Sequence, residues 1–140
     1  MRNKNSRFIF MVFLMLLSMV SLFSCQEKKA TIAHIDYSFS GCFASGNAKM
    51  VITKQGESIF ARCEESGQPS RMAKLNPLQM ESFDIFMKEL NAIKPGGLCT
   101  TQANYLVYYK NKKIEITDGT CDWNGFEKLT NIFFMEGEKF

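Results

Sequence analysis

Apolar residues recur at every second position through Ala33, Ile35, Tyr37 and Phe39, with His34, Asp36 and Ser38 between them. A period of two marks a strand with one buried face. Ser40-Gly41-Cys42 and Ser45-Gly46-Asn47 break the pattern, and residues 49–54 (KMVITK) resume it as a second strand. Gln55-Gly56 reads as a turn into a third strand at residues 58–64 (SIFARCE). Residues 71–75 read as a short fourth strand after a loop at 66–69.

The period then changes. Asn76, Pro77 and Gln79 fit an N-cap, a first-turn proline and the far partner of a capping box. Met80, Phe83, Met87 and Leu90 follow at three- and four-residue intervals, the apolar stripe of a helix. Glu81 and Asp84 are expected near the positive end of its dipole, Lys88 and Lys94 near the negative end. Pro95-Gly96-Gly97 stops it. Residues 105–109 and 113–117 flank a tight Lys110-Asn111-Lys112 turn and predict a hairpin. Its second arm carries Ile114 and Ile116 on one face, and Asp118-Gly119 ends it. Asp122 or Asn124 can cap a last helix, Asn124 with Glu127 matching a capping box. Phe126, Leu129, Ile132 and Phe133 form its apolar face, and Gly137 stops it.

The order β-β-β-(β)-α-β-β-α predicts an α+β fold: one domain, an antiparallel sheet of five to six strands, and two helices on one face. Strand order also suggests cysteine partners, because two antiparallel arms bring the start of one and the end of the other to the same edge. Cys42 precedes the second strand and Cys63 ends the third; Cys99 precedes the later hairpin and Cys121 follows it. Two disulfides are therefore expected, Cys42–Cys63 and Cys99–Cys121, each worth about 3 kcal/mol in the chain-entropy model. The chain has no C-x-x-C motif on which thioredoxin-like chemistry could stand. Its cysteine spacings also lack the close pairs of a zinc ribbon.

Upstream of this pattern, residues 1–7 carry Arg2, Lys4 and Arg7 and no acid. The run from Phe8 to Phe23 is apolar apart from Ser18 and Ser21, and is 16 residues long. Spanning a bilayer takes about 20, and a basic head before a short apolar run reads as a secretory signal. Leu22-Phe23-Ser24-Cys25 resembles the lipobox of bacterial lipoproteins, with Phe23 where a small residue is usual. That resemblance implies cleavage after Ser24 and acylation of Cys25; an uncleaved anchor helix is the competing reading. The chain divides on this basis into a signal peptide (1–24), a lipidated cysteine with a short tether (25–31) and one α+β domain (32–140). Stable attachment needs more than one acyl chain, which a triacylated cysteine supplies. Gln26-Glu27-Lys28-Lys29 resembles the charged tag that directs some lipoproteins to the outer surface, which implies an envelope location at the outer membrane.

Losing the signal peptide changes the charge. The full chain has 17 Lys+Arg and 14 Asp+Glu, and three of the bases and none of the acids lie in residues 1–24. The mature part has equal numbers of each. Nucleic-acid binding relies on clustered excess base, so that class is set aside. Lys110, Lys112 and Lys113 form the one local basic cluster, read as a hairpin tip.

Residues of chemical interest are few. His34 is the only histidine and has no nucleophile or ligand motif beside it. Ser40, Ser45 and Ser58 lack a G-x-S-x-G context. Asp118, Asp122 and Asn124 share one loop but do not match the EF-hand spacing, and turn and cap roles account for them. No catalytic set, metal site or cofactor is expected. Tyr105, Tyr108 and Tyr109 sit so close along one strand that at least one must face away from the core. Tyr105, Tyr109 and Trp123 are the candidate ligand-contacting residues, against a bland reading in which they complete the core. Ser40-Gly41-Cys42-Phe43, Lys74-Leu75 running into a capped helix, and the closing hairpin and helix resemble certain small uncharacterised bacterial lipoproteins over residues 35–135. That resemblance brings no activity. The expectation is a non-enzymatic, membrane-anchored domain that binds an envelope or secreted protein, a hydrolase inhibitor being one form of it. The alternative is a glycan or small-ligand binder.

Overall fold

The computed structural model describes residues 29–94 and 96–134. The stretch read as a signal peptide, Cys25, Pro95 and Gly137 lie outside the described residues. The elements run β1 (Lys29–Ser40), β2 (Ser45–Gln55), β3 (Ser58–Glu65), β4 (Arg71–Leu75), α1 (Pro77–Ala92), β5 (Gln102–Tyr109), β6 (Lys112–Asp118) and α2 (Gly125–Phe134). All six strands form one open antiparallel sheet in the order β4-β3-β2-β1-β5-β6. The α+β class, the fourth strand and both helices agree with the sequence pattern.

Alternation sets the buried face. Ala33 and Ile35 from β1, Met50 and Ile52 from β2, Ala61 and Cys63 from β3, and Tyr105 and Val107 from β5 point the same way and are buried. Both helices pack on this face. Phe83 of α1 meets Tyr109 edge-on at 5.2 Å between ring centroids, and Phe126 of α2 stacks on Tyr37 at 4.4 Å. Each such pair adds about 0.5–1.5 kcal/mol beyond burial of its area.

α1 begins with the expected capping box. The Asn76 side chain accepts from the Gln79 backbone N–H at 2.9 Å, and Gln79 Oε1 accepts from the Asn76 N–H at 3.0 Å. Gln79 is itself buried, and its Nε2 donates to the Ile132 carbonyl at 2.8 Å, tying α1 to α2. The buried stripe is Phe83, Phe86, Met87 and Leu90, so Phe86 joins the core while Met80 is only half-buried. Neither an acid in the first turn nor a base in the last supports this helix. Glu81, Asp84 and Lys94 fall outside the terminal turns, to which the dipole effect is confined.

Strand pairing extends β1, β2 and β5 past their sequence boundaries, β5 beginning at Gln102, which pairs with Ser40. β1 begins at Lys29, inside the stretch read as tether, because Lys29, Ala30 and Thr31 pair with Gln55, Lys54 and Thr53. β2 starts at Ser45, since Ser45-Gly46-Asn47 keeps register with Ser38-Phe39-Ser40 despite its turn-like composition. The β5–β6 loop is just Lys110-Asn111, both at positive φ, the geometry of a type I′ hairpin turn.

The Cys99–Cys121 disulfide forms, with its Cα atoms 5.7 Å apart. It clips the α1–β5 loop to the β6–α2 loop, where the Cys99 N–H also donates to the Gly119 carbonyl at 3.1 Å. Gly97, at φ 133°, lies so close to the Gly119 carbonyl that a Cβ would have no room. The expected Cys42–Cys63 bridge does not form: Cys63 is buried and Cys42 is exposed, both as free thiols. Register explains the error. Cys63 is not at the far end of β3 but level with Met50 and Ile35, whereas Cys42 lies beyond Ser40. Five strand residues separate those levels, roughly 16 Å, far past the ~7 Å that a disulfide can span between Cα atoms.

Of the four described cysteines, thiol labelling of the folded protein without reductant should therefore modify Cys42 alone. Cys63 should label only after unfolding, and Cys99 and Cys121 only after reduction. Peptide mass mapping reads each step, and protection of Cys42 together with Cys63 would restore the second bridge.

Candidate functional site

Among the described residues, no helix lies on the second face of the sheet. Its residues are fixed by the same alternation that fills the core, and the registers line them up in rows across the strands. One row reads Lys113, Tyr108, His34, Val51, Arg62 and Met72 from β6 to β4. The row beside it, two residues further along the strands, reads Glu115, Leu106, Asp36, Lys49 and Glu64.

Apart from Lys49, the rows separate base from acid. β1, β3 and β6 run in one direction and each carries a base followed two residues later by an acid: His34/Asp36, Arg62/Glu64 and Lys113/Glu115. Because the registers hold these strands level, the bases fall in one row and the acids in the next. Each pair is also in contact along its own strand. His34 Nε2 lies 3.0 Å from Asp36 Oδ1, Arg62 from Glu64 at 2.8 Å, and Lys113 from Glu115 at 3.3 Å. All three pairs are partly or largely exposed, so each is worth about 0–1 kcal/mol to the fold. Their interest is positional.

Apolar side chains sit among the charges. Met72 is 73 % exposed and Tyr108 44 % exposed, while Val51, Phe60 and Leu106 are half-buried. The Tyr108 ring lies 5.9 Å from the His34 ring. Two shallow troughs cross the face. One, of about 700 Å³, runs past Asp36, Lys49, Glu64, Leu106 and Glu115; the other, of about 580 Å³, runs past Val51, Phe60, Arg62 and Met72. Both are open, which suits the side chains of a partner better than an enclosed small molecule.

The residues singled out from sequence fall elsewhere. Tyr105 is 3 % exposed, beneath the helices. Trp123 is half-buried, its ring 5.4 Å from Phe86 and 5.2 Å from Tyr105, and its indole N–H donates to Glu89 at 3.0 Å. It folds over Gly125, where a Cβ would collide with the indole. Tyr109 packs on Phe83 and donates its hydroxyl to Asp84 at 3.0 Å. These three rings join the sheet to α1 and do not share a groove on the open face. Tyr108 is the tyrosine that faces away from the core. Asp118 is buried and accepts from the Thr120 N–H and hydroxyl at 2.9 and 2.7 Å, a turn role. Among the described residues no three His, Cys, Asp or Glu side chains gather as a metal site would need. His34 is flanked across the strands by Tyr108 and Val51, so the His34–Asp36 pair has no serine or cysteine nucleophile level with it. Phe43 and Leu98 are fully exposed on loops at the end of the sheet where Ser40 lies.

Three buried protons shape the alkaline behaviour. Burial, helped by Glu65, pushes the Cys63 thiol up to about 11, against the opposing pull of Arg71. Burial also raises the Tyr105 phenol, with lesser contributions from Tyr37 and Asp118. The Tyr37 phenol is raised by burial and then by Glu127 and Asp118. No protein-family model, curated protein or solved structure matches this chain.

All three groups hold their protons more tightly folded than unfolded, so their contribution is complete below the ordinary thiol value of 9.0 and is lost as pH rises above it. The urea midpoint should be level around neutrality and fall progressively above that value. Tyr105→Phe should make the fall shallower in the phenol range, and an identical slope in the variant would show that Tyr105 does not contribute.

Proposed function

We propose that this protein is an envelope lipoprotein, held to its membrane by an acylated Cys25, whose domain binds another protein through the uncovered face of its sheet. The observation that carries the binding half is the alignment of three base–acid pairs into two parallel rows on a face that no described element covers. A solvated sheet face is ordinary in antiparallel proteins. Here, however, Tyr108, Leu106, Val51, Phe60 and Met72 lie between the charges, and mixed aromatic, methionine and arginine surface is typical of interface cores. The rows span roughly 19 Å from β6 to β3 at ~4.8 Å per strand, the scale of a protein contact. A partner with its own alternating charge would be aligned by these rows, since charge complementarity fixes register and orientation more than raw affinity.

The anchor half is supported by the sequence: a basic head, a 16-residue apolar run and a cysteine in a lipobox-like context. Among the described residues no helix is long and apolar enough to cross a membrane. The glycan alternative has no comparable support, because the aromatic rings it was built on line the join between the sheet and α1.

Intact mass of the membrane-extracted protein should equal residues 25–140 plus acyl groups; a full-length, unacylated mass would refute the anchor. For the binding face, a photoreactive amino acid in place of Tyr108 should form a discrete protein adduct in intact cells, whereas one in place of Ile85 on α1 should not. Arg62→Glu with Lys113→Glu should reduce the adduct roughly tenfold or more, since like-charge juxtaposition costs several kcal/mol. Equal adducts from both positions, or none from position 108, would overturn the assignment of this face.

A further inference from the structure

The equal numbers of acids and bases in the mature chain conceal an uneven distribution that only the registers reveal. Lys29 opens β1, and Lys54 is level with Ala30 beside it. Lys74 is level with Phe60 and so with Thr53. Lys110 and Lys112 frame the β5–β6 turn beyond Tyr109, which is level with Ala33, and Lys113 follows. Six lysines from four strands and one turn, all exposed, thus gather along the end of the sheet where the chain enters from its N-terminal side. The acids at that end are Glu57 in the β2–β3 turn and Glu81 and Asp84 on α1, and Asp84 already accepts from Tyr109. At the other end the balance reverses, with Asp36, Glu64, Glu65, Glu115 and Asp118 against Lys49 and Arg71.

A second feature marks the lysine-rich end. α1 starts there, immediately after Leu75, and Leu78 in its first turn is 73 % exposed. A protruding leucine at a lysine-rich end is the pattern of a surface that rests at a membrane interface, where apolar burial and attraction to anionic headgroups add. Cys25 lies four residues before Lys29, a reach of at most roughly 14 Å. That is close to the ~8–10 Å over which charge acts through physiological salt.

We propose that this lysine rim docks on the anionic phospholipid headgroups of the bilayer, so that the domain stands on the membrane with its strands near the normal and the acidic end outward. The orientation rests on anchorage through Cys25; attraction to the headgroups does not. Lysines act as point charges in such a contact, so it requires no formed phosphate pocket, only several charges within reach of one surface.

The test uses the exported chain, residues 25–140, carrying Cys25→Ser so that no acyl chain contributes. It is cosedimented with vesicles of phosphatidylcholine alone and of phosphatidylcholine with about one-third phosphatidylglycerol. Binding to the anionic vesicles should exceed that to neutral vesicles by roughly tenfold or more, each lysine near the surface adding to the attraction. It should vanish in about 0.5 M salt, where the screening length is only a few ångströms. Lys54→Glu, Lys74→Glu and Lys112→Glu together should abolish it, with far-UV circular dichroism showing that the sheet is intact. Equal retention on both vesicles would overturn the proposal, whether or not Cys25 proves acylated by mass. Loss of binding to millimolar inorganic phosphate at constant ionic strength would also overturn it, by revealing a discrete phosphate site. If the triple variant fails to fold, the vesicle and salt comparisons on the unsubstituted chain still decide.

Discussion

β1 is hydrogen-bonded along both edges, to β2 from Lys29 and to β5 from Ala33, and both registers hold as far as Ser40. A slip of one residue on either side would turn Ile35 to solvent and drive His34 under the helices, because side chains alternate faces. Burial forbids it. A fully buried aliphatic side chain is worth about 1.5–3 kcal/mol, whereas an unpaired carboxylate such as Asp36 under the helices would cost more than that to desolvate. The parity changes at one place, the bulge at Ile32: Thr31 is level with Thr53 on the open face, and Ala33 with Ile52 on the buried one. β2 and β5 take their register from β1, and β3 and β6 take theirs from β2 and β5. The levels of Arg62, His34 and Lys113 are therefore inherited from the packing of the opposite face.

This inheritance explains what could be read from the chain and what could not. Periodicity found each element, with the starts of β1, β2 and β5 set three or four residues late, and the capping box at Asn76 and Gln79 located the start of α1, because each is a local signal. Each base–acid pair is also local: histidine, arginine and lysine stand two residues before an acid on strands whose period is two. That the three pairs are level depends on two registers on either side of β1, each set by contacts far apart in sequence. Cys63 shows the same limit. Placing it near the end of its strand was correct to within two residues, yet that offset left it level with Ile35 and out of reach of Cys42. The aromatic side chains take the second of the two roles their sequence left open. Tyr105 and Trp123 carry polar tips that suit a binding surface, but Trp123 reaches Glu89 with its indole N–H and so joins the core without an unmet donor.

Net charge proved a poor guide to surface charge for the same physical reason. Composition sums over a chain, and the sheet sorts it. Strands running in one direction with the same base-then-acid order add their small separations of charge, as aligned peptide units do in a helix. The lysines of the β5–β6 turn and of the β1, β2 and β4 ends extend that separation to the whole domain. The open face and the lysine rim are thus two views of one polarity along the strand axis.

The open face follows from where the two described helices lie. Six strands at ~4.8 Å spacing span roughly 24 Å between the outer strand axes, and two helices, each ~10 Å across, cover about that width once. With α1 and α2 laid on one face, the described chain holds no further helix for the other. Among the described aromatic residues of the sheet only Phe60 and Tyr108 face that way, and two ion pairs with the His34–Asp36 hydrogen bond keep it hydrated at little cost to stability. Partly exposed pairs of this kind contribute about as little to the fold as they would lose by changing partners. A face held in this state can exchange water for a complementary surface without disturbing the core beneath it, because the alternation that positions Arg62 and His34 is fixed by Ala61, Ile35 and their neighbours on the side the helices close.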